Sequence, residues 1–97
     1  MILDFGDGAT ADIYHGANTR VARRCLPRHL WQIAQRKLDR VHRSKDLRDL
    51  KDPPANRLEA LHGKWAGFYS LRINDQYRIV LRFADANASD VRIVDYH

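Results

Sequence analysis

The apolar positions of this chain change period once, near residue 54. Before it, apolar residues recur at helical spacing. Leu30, Ile33, Ala34, Leu38 and Val41 form an i, i+3, i+4 stripe that predicts an amphipathic helix to about Arg43. Pro27 stands just ahead, where a first helical turn accepts proline. Residues 44–51 continue as a helical turn through Leu47 and Leu50, and Pro53-Pro54 ends helical structure. Upstream, residues 2–5 read as a short edge strand, broken by Asp7-Gly8. Residues 9–14 read as a brief helix stopped by Gly16, and residues 18–24 as a basic loop.

After Pro54 the period is two. Residues 57–61 are a candidate strand, and Gly63 and Gly67 loosen the chain beyond it. Residues 68–73 and 77–83 make a strong pair of strands joined by Asn74-Asp75-Gln76. Residues 85–89 form a polar turn, and residues 91–96 the last strand. Alternation assigns the faces. Leu58, Ala60, Leu71, Ile73, Tyr77, Ile79, Leu81, Phe83, Val91 and Ile93 turn toward the helices. Arg57, Glu59, Ser70, Arg72, Arg78, Arg82, Arg92 and Tyr96 turn the other way. The expected fold is α+β, one domain over residues 1–97, with N-terminal helices on one face of a small twisted antiparallel sheet.

Composition sharpens this. At 97 residues the chain makes one domain, too short for a doubly wound dinucleotide fold. Lys plus Arg number 17 against 12 Asp plus Glu, a net charge of +5, which favours a polyanionic partner. The single cysteine, Cys25, excludes an internal disulfide and a Cys-rich zinc site. His15, His29, His42, His62 and His97 show no ligand spacing, so no metal is expected. No apolar run is long enough to span a membrane and no signal peptide is visible. The expected location is cytoplasmic.

The second face of the sheet holds the candidate chemistry. A solvated sheet face normally mixes signs and β-formers. This one gathers five Arg with one Glu and one Tyr, which reads as a phosphate-binding surface or as solubility and edge protection. Arg78, on a central strand, is the best candidate for stabilising phosphoryl charge, because its planar fork matches two oxygens. Arg72 is a second candidate, or an ion-pair partner of Asp75, Asp90 or Glu59. Glu59 reads as a general base or as a partner of Arg57, Arg72 or Arg78. Arg57 and Lys64 join the expected phosphate-contacting set. So do Arg36, Lys37, Arg40 and Arg43, the charged face of the predicted helix.

The residues NRLEALHGKWAGFYSLRINDQYRIVLRF and the closing VRIVDYH resemble the HigB toxins of the RelE/ParE superfamily of bacterial toxin–antitoxin systems. The resemblance runs from about Leu47 to His97 and is looser over the N-terminal third. It implies an endoribonuclease that cuts mRNA in the ribosomal A site without metal or cofactor. It also implies a HigA-type helix-turn-helix antitoxin, through whose complex alone operator DNA is bound. Arg78 matches the family's phosphate-binding Arg, and Tyr96 with His97 matches its C-terminal catalytic pair, preceded by Asp95. Glu59 and His62 stand where some members carry a catalytic His and a Lys, a departure that leaves the base open. The competing functions are a gyrase inhibitor of the ParE type and a catalytically weak nucleic-acid-binding module.

Overall fold

The computed structural model describes residues 1–96. His97, a candidate catalytic residue of the sequence, lies outside the described residues. Three α-helices lead: α1 (Gly8–His15), α2 (Arg20–Cys25) and α3 (Trp31–Arg43). Four strands follow: β1 (Glu59–Ala60), β2 (Tyr69–Arg72), β3 (Tyr77–Ala84) and β4 (Asn87–Asp95). They pair antiparallel in chain order, β1-β2-β3-β4, so the architecture is the expected α+β.

Helices α1 and α2 start where side chains satisfy their first amides. Asp7 accepts from the Thr10 amide at 2.8 Å, and Gly16 closes α1 in the left-handed region at φ 76°. Thr19 caps α2 by accepting from the Ala22 amide at 3.2 Å. That cap turns the expected loop at residues 18–24 into a helix. Only Ala22 of this helix is fully buried, so no apolar stripe announces it. In α3 the buried stripe is Trp31, Ala34, Leu38 and Val41. Ile33, placed in the stripe by its spacing, is 39% exposed. Trp31 takes the inward position instead and donates its indole N–H to the Leu26 carbonyl at 2.7 Å.

Ile13, Leu26 and Leu38 meet Leu71, Ile79, Leu81 and Val91 of the sheet in one core. Truncating a fully buried leucine in such a core costs about 2–5 kcal/mol. β4 would be an exposed edge, but the N-terminus covers it. Ile2 and Phe5 bridge to Ala88 and Val91 in parallel. The Leu3 and Gly6 amides donate to the Ala88 and Val91 carbonyls at 2.8 and 2.7 Å. Beyond them the buried Thr10 hydroxyl accepts from the Ile93 amide at 2.9 Å, docking α1 on the same edge.

Two expectations change in the sheet. The strand over residues 57–61 shrinks to Glu59–Ala60, because the 3₁₀ turn Pro54–Asn56 ends with Arg57 in the left-handed region at φ 46°. Arg57 is therefore exposed ahead of the strand rather than on the sheet face, and Ala60 is exposed rather than turned into the core. The second face is also less open than alternation implies. Phe68, Ser70 and Val80 are buried there.

Candidate functional site

Antiparallel register places the second face in rows. Glu59, Ser70, Val80 and Arg92 stand side by side, and Arg72, Arg78 and Val94 form the next row. Directly opposed residues share a face, so these side chains belong to one surface. Tyr96 continues the line of Arg92 and Val94, held by its amide donating to the Gln76 carbonyl at 2.6 Å.

Arg78 is the centre of this surface. Its guanidinium carbon lies 4.8 Å from the centroid of the Tyr96 ring. Its Nη1 donates to the buried Ser70 hydroxyl at 3.4 Å. Among the described residues no carboxylate pairs with it. The neighbouring arginines are more occupied. Arg72 holds Asp75 at 2.5 Å, and Arg92 is paired with Asp90. Arg82 lies 4.1 Å over the Phe68 ring. Arg78 thus keeps most of its donors for an anion while its stem is fixed on a strand.

The loop between β1 and β2 bends back over this face. Its 3₁₀ turn, Gly63–Trp65, brings Trp65 edge-on to Phe68 at 5.1 Å, with Arg92 5.7 Å from the indole. This roof, with Arg82 over the same ring, covers Phe68. Between the roof and the end of β4 lies a cleft of about 480 Å³, lined by Lys64, Trp65, Val94, Asp95 and Tyr96. Glu59 is exposed on β1 beside Ser70, and its carboxylate forms no hydrogen bond or ion pair among the described residues. His62 and Lys64 are exposed on the loop. Asp95 accepts from the Gln76 side chain at 3.2 Å.

The basic residues of α3 divide. Lys37 donates to Asn56 at 2.5 Å, and Asn56 in turn donates to the Leu50 and Asp52 carbonyls. Burial, with Arg72 nearby, lowers the Lys37 pKa from the usual lysine value. With Ile33, Arg36, Arg40 and Pro53 it lines a groove of about 240 Å³. Arg43 instead pairs with Asp39 one turn back, at 3.0 Å on an exposed surface. Arg57 is exposed, with its charge acting on Asp75 beside the Arg72 pair. The structure therefore gathers Arg78, Tyr96, Arg72 and Glu59 on one surface and Arg36, Lys37 and Arg40 along a groove that approaches it. No group of three His, Cys, Asp or Glu able to hold a metal ion occurs among the described residues.

Two contributors escaped the sequence reading. Ser70 steadies Arg78, and Trp65 roofs the face. The alternation did place Ser70 beside Arg78. A small polar residue between aromatic and aliphatic neighbours was the available signal.

Known proteins resemble this arrangement. The family model described as the RelE-like toxin of the type II toxin–antitoxin system HigB matches residues 3–97. Toxin HigB-1 of Vibrio cholerae is 32% identical over 88 residues, covering 91% of this chain and 90% of that protein. An uncharacterized protein of Haemophilus influenzae is 35% identical over 66 residues, 68% of this chain. The chain spans 65% of the length of that relative. Among solved structures, the YoeB-YefM complex from Staphylococcus aureus aligns over 100% of this chain and 95% of the matched chain. Its TM-score is 0.61 at 18% identity, a likeness of fold.

Proposed function

The chain belongs to the HigB-like toxins of type II toxin–antitoxin systems, within the RelE superfamily, and from that premise we propose that it is a ribosome-dependent mRNA endoribonuclease. The observation that carries the reading is Arg78: rigid on β3, stacked on Tyr96, and without a carboxylate partner among the described residues.

RNA carries its own nucleophile. The 2′-oxygen attacks the adjacent phosphorus, the bond to the 5′-oxygen breaks, and a 2′,3′-cyclic phosphate remains. The reaction needs a base for the 2′-OH proton, positive charge on the phosphorane oxygens and an acid for the leaving oxygen. In this proposal Arg78 binds two phosphoryl oxygens, and the Ser70 bond aims its fork. Glu59, unpaired on the same face, takes the 2′-OH proton. His97 returns a proton to the 5′-oxygen, since imidazole titrates near neutrality. Tyr96 lies under Arg78 and offers its hydroxyl to the phosphate. His62 and Lys64 approach the substrate from the loop. Arg72 retains donors beyond its bond to Asp75 and extends the phosphate track. No step calls for a metal or cofactor.

Arg36, Lys37 and Arg40, with Arg43 and Arg57 on the flanks, supply the salt-dependent contacts to ribosomal RNA. A HigA-type helix-turn-helix antitoxin neutralises the toxin in the cytoplasm, and operator DNA is met only through that complex. The test is induced expression with an untagged C-terminus, with mRNA 5′ ends mapped for wild type, Arg78→Ala and a deletion of His97. New cuts within coding regions, lost in both variants, support the reading. Growth arrest with intact mRNA sinks it and turns attention to gyrase.

A further inference from the structure

Trp65 and Val94, which line the cleft beside Tyr96, take no part in the steps above. The floor of the cleft is Val94, which stands directly across from Arg78 in the β3–β4 register. One wall is Tyr96, whose ring Arg78 covers. The other is Trp65, braced edge-on against Phe68 at 5.1 Å. Lys64 sits at the rim, exposed and without an ion-pair partner among the described residues. Two aromatic walls over an apolar floor, with Lys64 lining the cleft and the remaining lining residue, Asp95, held by the Gln76 side chain, fit the needs of one unstacked nucleobase and its phosphate.

We propose that this cleft holds a base of single-stranded RNA adjacent to the phosphate that Arg78 engages, with Trp65 as its stacking wall. The inference rests on the ribonuclease reading and adds the base to it. Because Val94 and Arg78 are cross-strand neighbours, a base on Val94 and a phosphate at Arg78 belong to the same or the next nucleotide. Every base has a π-face, so the cleft binds tightly without reading sequence. Trp65 is then a substrate-binding residue.

The experiment uses a 2′-O-methyl RNA trinucleotide, which cannot be cleaved, and the same oligomer with an abasic centre. The chain has two tryptophans, and Trp31 is buried in the core, so emission that changes with RNA reports Trp65. The expected result is saturable quenching in wild type. The abasic oligomer and Trp65→Ala each weaken binding about tenfold, with affinity read for every form by anisotropy of a fluorescently labelled RNA. Trp65→Phe, which keeps an aromatic on Phe68, binds within a few-fold of wild type but shows no quenching. Should Trp65→Ala fail to fold, the Phe variant and the abasic probe still decide. No quenching up to millimolar RNA, or equal affinity for the two oligomers, overturns the proposal. Because the probe cannot be cut, absent cleavage in cells with intact quenching would remove the ribonuclease reading and leave the base site standing.

Discussion

Arg78 shows what one side chain gains from its setting. A strand fixes its stem, Tyr96 supports one face, and Ser70 takes one donor. Arg78→Lys keeps the charge and loses the fork, so mRNA cleavage is expected to fall roughly a hundredfold while antitoxin binding persists. Single-turnover cleavage on programmed ribosomes, beside an antitoxin pull-down, measures both. Cys25 offers a second check. Burial, with Asp7 nearby, pushes its thiol pKa from 9.0 up to about 11. The folded chain holds that proton more tightly than the unfolded one. Its contribution to stability is therefore intact below about pH 9 and lost as pH rises toward about 11. At pH 8 iodoacetamide is expected to label Cys25 slowly in the native protein and readily in urea, as mass spectrometry would show. At this scale the sequence was legible where period-two alternation applied: it put Arg78, Arg72, Glu59 and Tyr96 on one surface. It did not disclose that Arg72 is taken by Asp75 while Glu59 is left unpaired, because rotamers choose among carboxylates at similar range.

Elements were legible in proportion to their apolar pattern. The stripe of α3 and the alternation of β2, β3 and β4 stood out, and those elements form. The second helix did not, because a hydroxyl cap and one buried alanine make no pattern. β1 was drawn too long, since nothing in the letters shows that Arg57 turns left-handed. The β3–β4 hairpin carries a related cost. Its two connecting residues, Asp85 and Ala86, have φ of 53° and 65°. Such tight turns favour glycine in the left-handed positions, and alanine there is disfavoured. Ala86→Gly is expected to stabilise the protein by about 0.5–1 kcal/mol, read from urea denaturation, with the site unchanged.

Over the whole molecule, two basic regions have separate uses in the proposed function. The sheet face holds Arg78, the cation of the proposed chemistry, against Tyr96. In the same proposal the groove of Arg36, Lys37 and Arg40 supplies binding that depends on ionic strength. Replacing Arg36 and Arg40 by alanine is expected to lower the slope of log affinity for ribosomes against log salt by about 1.5, measured by sedimentation at several salt concentrations. Cleavage of ribosome-bound message at saturation should change little.

The edge of β4 has one more consequence, and it concerns time. Residues at positions 2–5 find their partners only at positions 88–91, and Arg78 meets Tyr96 only when β4 is in place. A nascent chain that stops short of Asn87 has no closed sheet and no stacked arginine. On the proposed function, the phosphate-binding arginine is therefore assembled only after β4 has been made, which separates synthesis of the chain from its activity.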